Sequence, residues 1–337
     1  MPDLRKWGIG SIEALLVLLI AAMVVGLSLS TTTFLTLPNV FDLLNQSSVN
    51  IIFAAGLLVV LIAGGIDISF AVGASVVQYL TALTVIQVGG GNWAIGFLAA
   101  AVFGFLLGAV NATIIYRFRI VSIVVTIATF NVFFGGLMFL TGGVSIYDLP
   151  DWWTHRVSLI QLKTSSGVAD LALPVAVMAF MVAATWFLLR RTTTGRQLYA
   201  MGDNPEAARR VGINIGTMHY VAFGWLGMMA GIAGLMQAHY VQEVVPNALY
   251  GRELDVLAAV VLGGARLGGG RGTILGAILG ILLTAITANG LNLLGISPYA
   301  FKMIIGAIIL IAITMSSGGF AKLVGSRFTS PRAEARS

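Results

Sequence analysis

LPVAVMAFMVAATWFLL, residues 173–189, decides which solvent this chain is built for. It carries no charge, and its apolar residues run on without the alternation of a strand. Lipid offers a backbone no hydrogen-bond partners, so such a run crosses a bilayer as a helix or within a closed barrel, and its continuity excludes the barrel. A second apolar stretch, VAFGWLGMMAGIAGLM at 221–236, follows after a charged interval. Similar runs recur along the chain at about the 18–22 residues that a bilayer core demands.

Composition agrees. Of 337 residues, 58% are hydrophobic and 9% charged. A soluble domain carries about 25% charged residues to cover its surface. The expected fold is therefore all-α and polytopic, with about ten transmembrane helices near 11–30, 47–64, 68–88, 93–116, 120–141, 170–189, 217–240, 253–265, 272–292 and 298–315. The eighth is short for a straight span and is bounded by glycines. A single membrane domain over 1–337 is expected, ending in a short cytoplasmic tail at 316–337. The first run follows Arg5 and Lys6 but is too long for a signal-peptide core, so a retained anchor is expected. The chain has no cysteine, which excludes thiolate metal sites and thiol nucleophiles, and its three histidines are too scattered to suggest a metal centre.

The net charge of +6 reads as topology rather than as nucleic-acid binding. With a cytoplasmic N-terminus and alternating sides, the inner loops hold Arg5, Lys6, Arg117, Arg119, Arg190, Arg191, Arg196, Arg209, Arg210, Arg266 and Arg271. The tail adds Lys322, Arg327, Arg332 and Arg336, which leaves Arg156, Lys163, Arg252 and Lys302 for the other side or a span end. Loop basic residues set orientation, so both termini are expected in the cytoplasm.

Glycines spaced four apart (Gly104 and Gly108, Gly227 and Gly231, then Gly272, Gly276 and Gly280) let helices approach closely in lipid. Internal packing is the plain reading and a subunit interface the sharper one. Within the basic interval after residue 191, NPEAARRVG (204–212) is marked as a short helix. Asn204 can cap it, Pro205 suits its first position, Glu206 and Arg209–Arg210 match the dipole, and Gly212 can end it. Two turns do not hold alone in water, so a surface must hold them, either lipid or a protein. Ala207 and Ala208, where a lipid-seeking helix places large apolar residues, favour a protein groove.

At this point the residues resemble a family. YAMGDNPEAARRVGIN (199–214) is similar to the coupling region of the ribose-type ABC sugar permeases, the branch that handles ribose, arabinose, xylose and autoinducer-2. Further segments agree in order: GGIDIS (64–69), LTGG (140–143), PNALYGRELDVLAAVVLGGARLGGGRGTILG (246–276) and NGLNLLGISPY (289–299). The resemblance covers about 38–315. It implies a multi-pass subunit of the bacterial inner membrane, paired with an identical or paralogous permease. A cytoplasmic ATP-binding subunit would drive it and a periplasmic solute-binding protein would deliver a sugar. Gly202, Asp203, Asn204, Pro205, Glu206, Ala207, Ala208, Arg209, Arg210 and Gly212 would then be the coupling segment. ATP and Mg would bind the partner alone. This chain has no phosphate loop of its own, since no Gly-Lys pair occurs in it, and GGARLGGGRG reads as a tight turn.

Neutral sugars need hydrogen bonds and aromatic faces. Asn45, Gln46, Ser47, Asn50, Asn131, Gln237 and Asn289 are candidates for the path, although polar groups inside membranes also serve helix–helix bonding. Asp67 reads as a cap for the following helix with Ser69. As a relay carboxylate, Asp67 or Glu253 would instead imply a proton-coupled transporter. Permeases for nucleosides or branched-chain amino acids are a further alternative. Trp152 and Trp153 suit an interfacial aromatic belt, or a docking surface for the binding protein. Two features depart from the family pattern: in GGIDISFAVGAS (64–75) the part up to VG (64–73) is two residues longer than in the usual GGIDLSVGS, and FNVFFGG (130–136) lacks an arginine common there.

Overall fold

The computed structural model describes residues 10–297 and, beyond them, 300, 303, 304, 306 and 307. The expected tenth span, the tail and both termini lie outside the described residues or mostly so. Helices α1 (Ser11–Ser30), α2 (Leu37–Ile62), α3 (Phe70–Gln87), α4 (Trp93–Phe118) and α5 (Ser122–Thr141) come first. A short α6 (Asp151–Thr154) and a hairpin of β1 (Ser158–Thr164) and β2 (Gly167–Ala172) follow. Next come α7 (Leu173–Arg191), α8 (Thr193–Asp203), α9 (Pro205–Arg210), α10 (Ile215–Val241), α11 (Arg252–Leu262) and α12 (Ile274–Leu293). Among the described residues, eight of these helices are long and apolar enough to cross a membrane.

Helix α2 is the axis of the bundle, buried almost continuously from Ser47 to Ile62. Phe53, Leu57, Leu58 and Leu61 on it share one core with Phe223, Leu226 and Met229 of α10. It begins at Leu37, ten positions before the expected start, because Pro38 opens the helix and the polar run at its mouth is helical too. Helix α5 lies at the edge, packed on α3 and α4, and leaves Ile127, Val132 and Phe139 exposed.

The glycine spacings resolve into internal packing. A Cβ on Gly104 would run into the Gly227 carbonyl, one on Gly108 into that of Phe223, and one on Gly231 into that of Ala100. Helices α4 and α10 therefore meet backbone to backbone. Gly276 and Gly280 do the same for α12, against the carbonyls of Gly263 and Ala259 at the end of α11. In lipid this close approach supplies dispersion contacts that apolar burial does not.

Three expectations need correction. The chain is not all-α, because β1 and β2 pair antiparallel across the turn at Ser165–Ser166, with Thr164 opposite Gly167. IQLKT (160–164) alternates apolar and polar residues, and outside the membrane its backbone groups find partners in a strand. The interval 192–203 is helical rather than loop: Thr192 caps α8 through the Gly195 N–H, and Leu198 and Met201 are buried. Trp153 is not in an interfacial belt. It is fully buried, stacked on Trp152, whose Nε1 donates to Gly90 O at 2.6 Å.

Candidate functional site

The bundle has two faces, and its contacts group the loops onto them. One gathers residues 62–65, the end of α8, the α9 helix and the turn at 263–272. The other gathers Gly90, the hairpin and the Ile146–Val244 bridge. Arg117, Arg119, Arg190, Arg191, Arg196, Arg209, Arg210, Arg266 and Arg271 go with the first, while Arg156 and Lys163 go with the second.

On the first face α9 forms as its sequence dictates. The Asn204 side chain accepts the Ala207 N–H at 3.0 Å, and the Ile213 N–H returns to Ala208 O at 3.1 Å across left-handed Gly212. Pro205, Glu206, Ala207, Arg209 and Arg210 are exposed, whereas Ala208 is buried against the chain itself. The two alanines therefore differ: Ala207 belongs to the free surface and Ala208 seats the helix.

Behind α9 lies a junction of three backbones. A Cβ on Gly202, at the end of α8, would strike Ile62 O and come within 2.6 Å of the Gly270 N. Gly269 packs in the same way on Gly202 and Gly64. The Gly270 N–H donates to Ile62 O at 2.9 Å, and the Tyr199 hydroxyl to Gly272 O at 2.9 Å. Burial raises the pKa of the Tyr199 hydroxyl, in keeping with its role as a donor here. The end of α2, the stem of α9 and the turn that leads into α12 thus touch with no flexible side chain between them. The glycine-rich segment 263–272 is a tight turn, with Gly264, Gly269 and Gly270 at positive φ.

Asp67 lies beside this junction, buried. Its Oδ1 accepts the Ser69 N–H at 2.6 Å and the Ser69 hydroxyl at 2.7 Å, and its Oδ2 accepts the Asn111 amide at 3.2 Å. It holds the turn that leads into α3 and ties it to α4.

The polar candidates within the spans separate. The Asn45 amide donates to Asp170 O at 2.7 Å and accepts the Ala172 N–H at 3.0 Å, which fastens the hairpin. Ser47 bonds back to Leu43 O, and Asn289 pairs its amide with that of Asn39. Gln46 and Asn131 are exposed and Gln237 is half-buried. Asn50, halfway along α2, accepts Arg252 Nη1 at 3.4 Å. That contact sets the start of α11 at mid-depth, so α11 is a half-length helix, entered through Gly251 at positive φ. Beside it Tyr250 is exposed, its ring 4.6 Å from Phe134 and 5.6 Å from Phe130, next to Asn131 on α5. Asn50 thus falls near this cluster, whereas Asn131, one position from Phe130, turns its amide back to Ile127 O at 2.8 Å. Tyr250, Arg252, Phe130 and Phe134 were not singled out as site residues in the sequence, although they lie in or beside two stretches that were marked, FNVFFGG (130–136) and the short, glycine-bounded segment at 253–265. Glu253, buried, accepts the Gly251 N–H at 3.1 Å, and Asp255 is exposed.

Residues 39–313 match the family model described as branched-chain amino acid transport system / permease component. The chain is 33% identical over 307 residues to the ribose import permease protein RbsC of Escherichia coli strain K12, covering 89% of this chain and 91% of that one. The RbsC of Bacillus subtilis strain 168 is 31% identical over 293 residues, covering 87% and 89%. The galactose/methyl galactoside import permease protein MglC of Escherichia coli strain K12 is 26% identical over 323 residues, covering 93% and 95%. No solved structure matches the chain.

Proposed function

The chain belongs to the branched-chain amino acid transport system / permease component family, and from that premise we propose that it is the membrane-spanning subunit of an ATP-binding-cassette sugar importer. It catalyses no covalent step. The solute is a monosaccharide or similar polyol, delivered by a periplasmic binding protein across the bacterial inner membrane. ATP and Mg bind a cytoplasmic partner that faces α9, and a second permease subunit, identical or paralogous, completes the path.

The observation that carries this reading is the junction behind α9. A displacement of α9 by the ATPase passes through Gly202 to the ends of α2 and α12, because backbone meets backbone there and nothing soft absorbs it. Helix α2 carries the movement to Asn50 and the start of α11. At that depth, amides, an arginine and three aromatic rings suit sugar hydroxyls and ring faces. Tyr250 and Asn131 are exposed, which leaves them free to face a second subunit. The bonds from Ser69 and Asn111 give buried Asp67 a structural role that needs no proton relay.

Sugar uptake into right-side-out membrane vesicles that enclose ATP, with or without enclosed vanadate, and are supplied with the binding protein outside tests the reading. Uptake that vanadate stops and an uncoupler leaves intact supports it. Uptake that survives vanadate and collapses with the uncoupler overturns it.

A further inference from the structure

A cavity of about 510 Å³ opens on the α9 face between the end of α4, the turn into α5 and the start of α10. Arg117, Arg119 and Arg209 line it, and no carboxylate does. Among the described residues the one ion pair, Arg156 with Asp170, is on the opposite face, so these three arginines have no counter-ion there. Loop topology places basic residues on this face but gives no reason for three to converge on one hollow, where they repel one another.

The remaining wall also donates. Helix α5 starts at the cavity with no side chain capping its first turn, which leaves orphan N–H groups there, and α10, whose first turn Asn214 caps, starts there as well and adds the positive end of a second long helix dipole. The Ser122 oxygen already accepts the Ile66 N–H at 2.9 Å, which leaves its hydroxyl hydrogen to donate elsewhere. His219 Nδ1 is buried without a hydrogen-bond partner. Arg119 sits at φ 54°, a left-handed conformation that a non-glycine residue adopts at a cost, and this holds its side chain at the cavity.

We propose that this cavity is a phosphate-binding site. Guanidinium forks match phosphate oxygens geometrically, and helix starts are favourable places for such a group. At the rim Val121 is 67% exposed, and beside it Phe118 is 67% and Val124 57% exposed, an apolar collar that fits acyl chains. The phosphate is accordingly that of an anionic phospholipid in the adjoining leaflet, with a soluble phosphate as the other source of the same chemistry. Bound there, it bridges the α4–α5 turn to Arg209 of α9 and so ties the anchorage of α9 to its lipid surroundings.

The test uses native mass spectrometry of the full-length chain extracted in mild detergent and supplied with phosphatidylglycerol or phosphatidylcholine. The variant is Arg117→Gln/Arg119→Gln, and Arg190→Gln/Arg191→Gln is the charge-matched control outside the cavity. Wild type and control are expected to retain phosphatidylglycerol over phosphatidylcholine. The variant should lose that preference by at least about tenfold, the order of one charge-assisted hydrogen bond. A wild type that binds no lipid, but saturates with inorganic phosphate in a ³¹P experiment where the variant does not, supports the site with a soluble source. Equal binding of both probes by wild type and variant overturns the proposal. So does a variant that keeps its lipid but loses a co-purifying ATPase, since the arginines would then serve an acidic protein surface. Unchanged thermal midpoints and monodispersity show that the variant is folded.

Discussion

Replacing Gly202 with alanine is the sharpest perturbation of the junction. The added methyl would strike Ile62 O and lie 2.6 Å from Gly270 N and 3.0 Å from Ile62 C. All three are backbone atoms, so no side chain can rotate away, and the strands of the junction must part by most of an ångström. Forcing a methyl into packed surroundings costs about 1–3 kcal/mol. Parting the strands also weakens the hydrogen bond from Gly270 to Ile62, worth about 0.5–1.5 kcal/mol. Alanine recovers roughly 1 kcal/mol of helix propensity in α8. The net loss is about 1–3 kcal/mol, read as a lower thermal midpoint of the purified protein in detergent. Gly26→Ala is the comparison, because nothing lies within 4 Å of a Cβ there, and it should leave the midpoint unchanged or raise it. The functional expectation is that ATP hydrolysis by the assembled complex persists while uptake falls. A Gly202→Ala protein as stable and as active in uptake as wild type would refute the rigid junction.

Further substitutions separate the parts of the account. Ala207→Trp should block ATPase docking at normal stability because Ala207 is exposed, whereas Ala208→Trp should also lower the melting point because Ala208 is buried; pull-down and thermal scans distinguish them. Asp67→Ala leaves the buried Ser69 N–H and hydroxyl without their acceptor, and Asn111 with only its bond to Ser69 Oγ, and should cost about 2–4 kcal/mol, while Asp67→Asn should retain uptake that uncouplers do not abolish. Asn45→Ala removes both bonds to the hairpin, so hydrogen exchange should rise across 158–172 and ATPase binding should not change. Tyr250→Ala should reduce sugar uptake without affecting ATPase pull-down.

Much of the fold was legible because the bilayer enforces simple rules. Apolar length marked the spans, and glycine spacing marked the α4–α10 and α11–α12 contacts. Asn204, Pro205 and Gly212 bounded α9 because each residue type has one suitable place at a short helix's ends. Legibility failed where tertiary contacts decide. Polar residues obscured the first turns of α2, and the charged surface of α8 hid the buried pair Leu198 and Met201. Trp153 looked like an interfacial anchor because burial by Leu235 and Met236 is not a local property. Among the polar candidates, a side-chain amide that fastens a hairpin, such as Asn45, carries the same letter as one near the mid-depth aromatic cluster, such as Asn50.

The central claim is that α9 is the surface through which a cytoplasmic ATPase drives this permease. The chain contains no cysteine, so Ala207→Cys provides a single attachment point for a short photo-activated cross-linker in native membranes. The account predicts one dominant adduct, to an ATP-binding subunit, that is lost when Arg210→Glu is added. Adducts to lipid alone, or an ATPase adduct from a cysteine on the hairpin face and none from position 207, would contradict it.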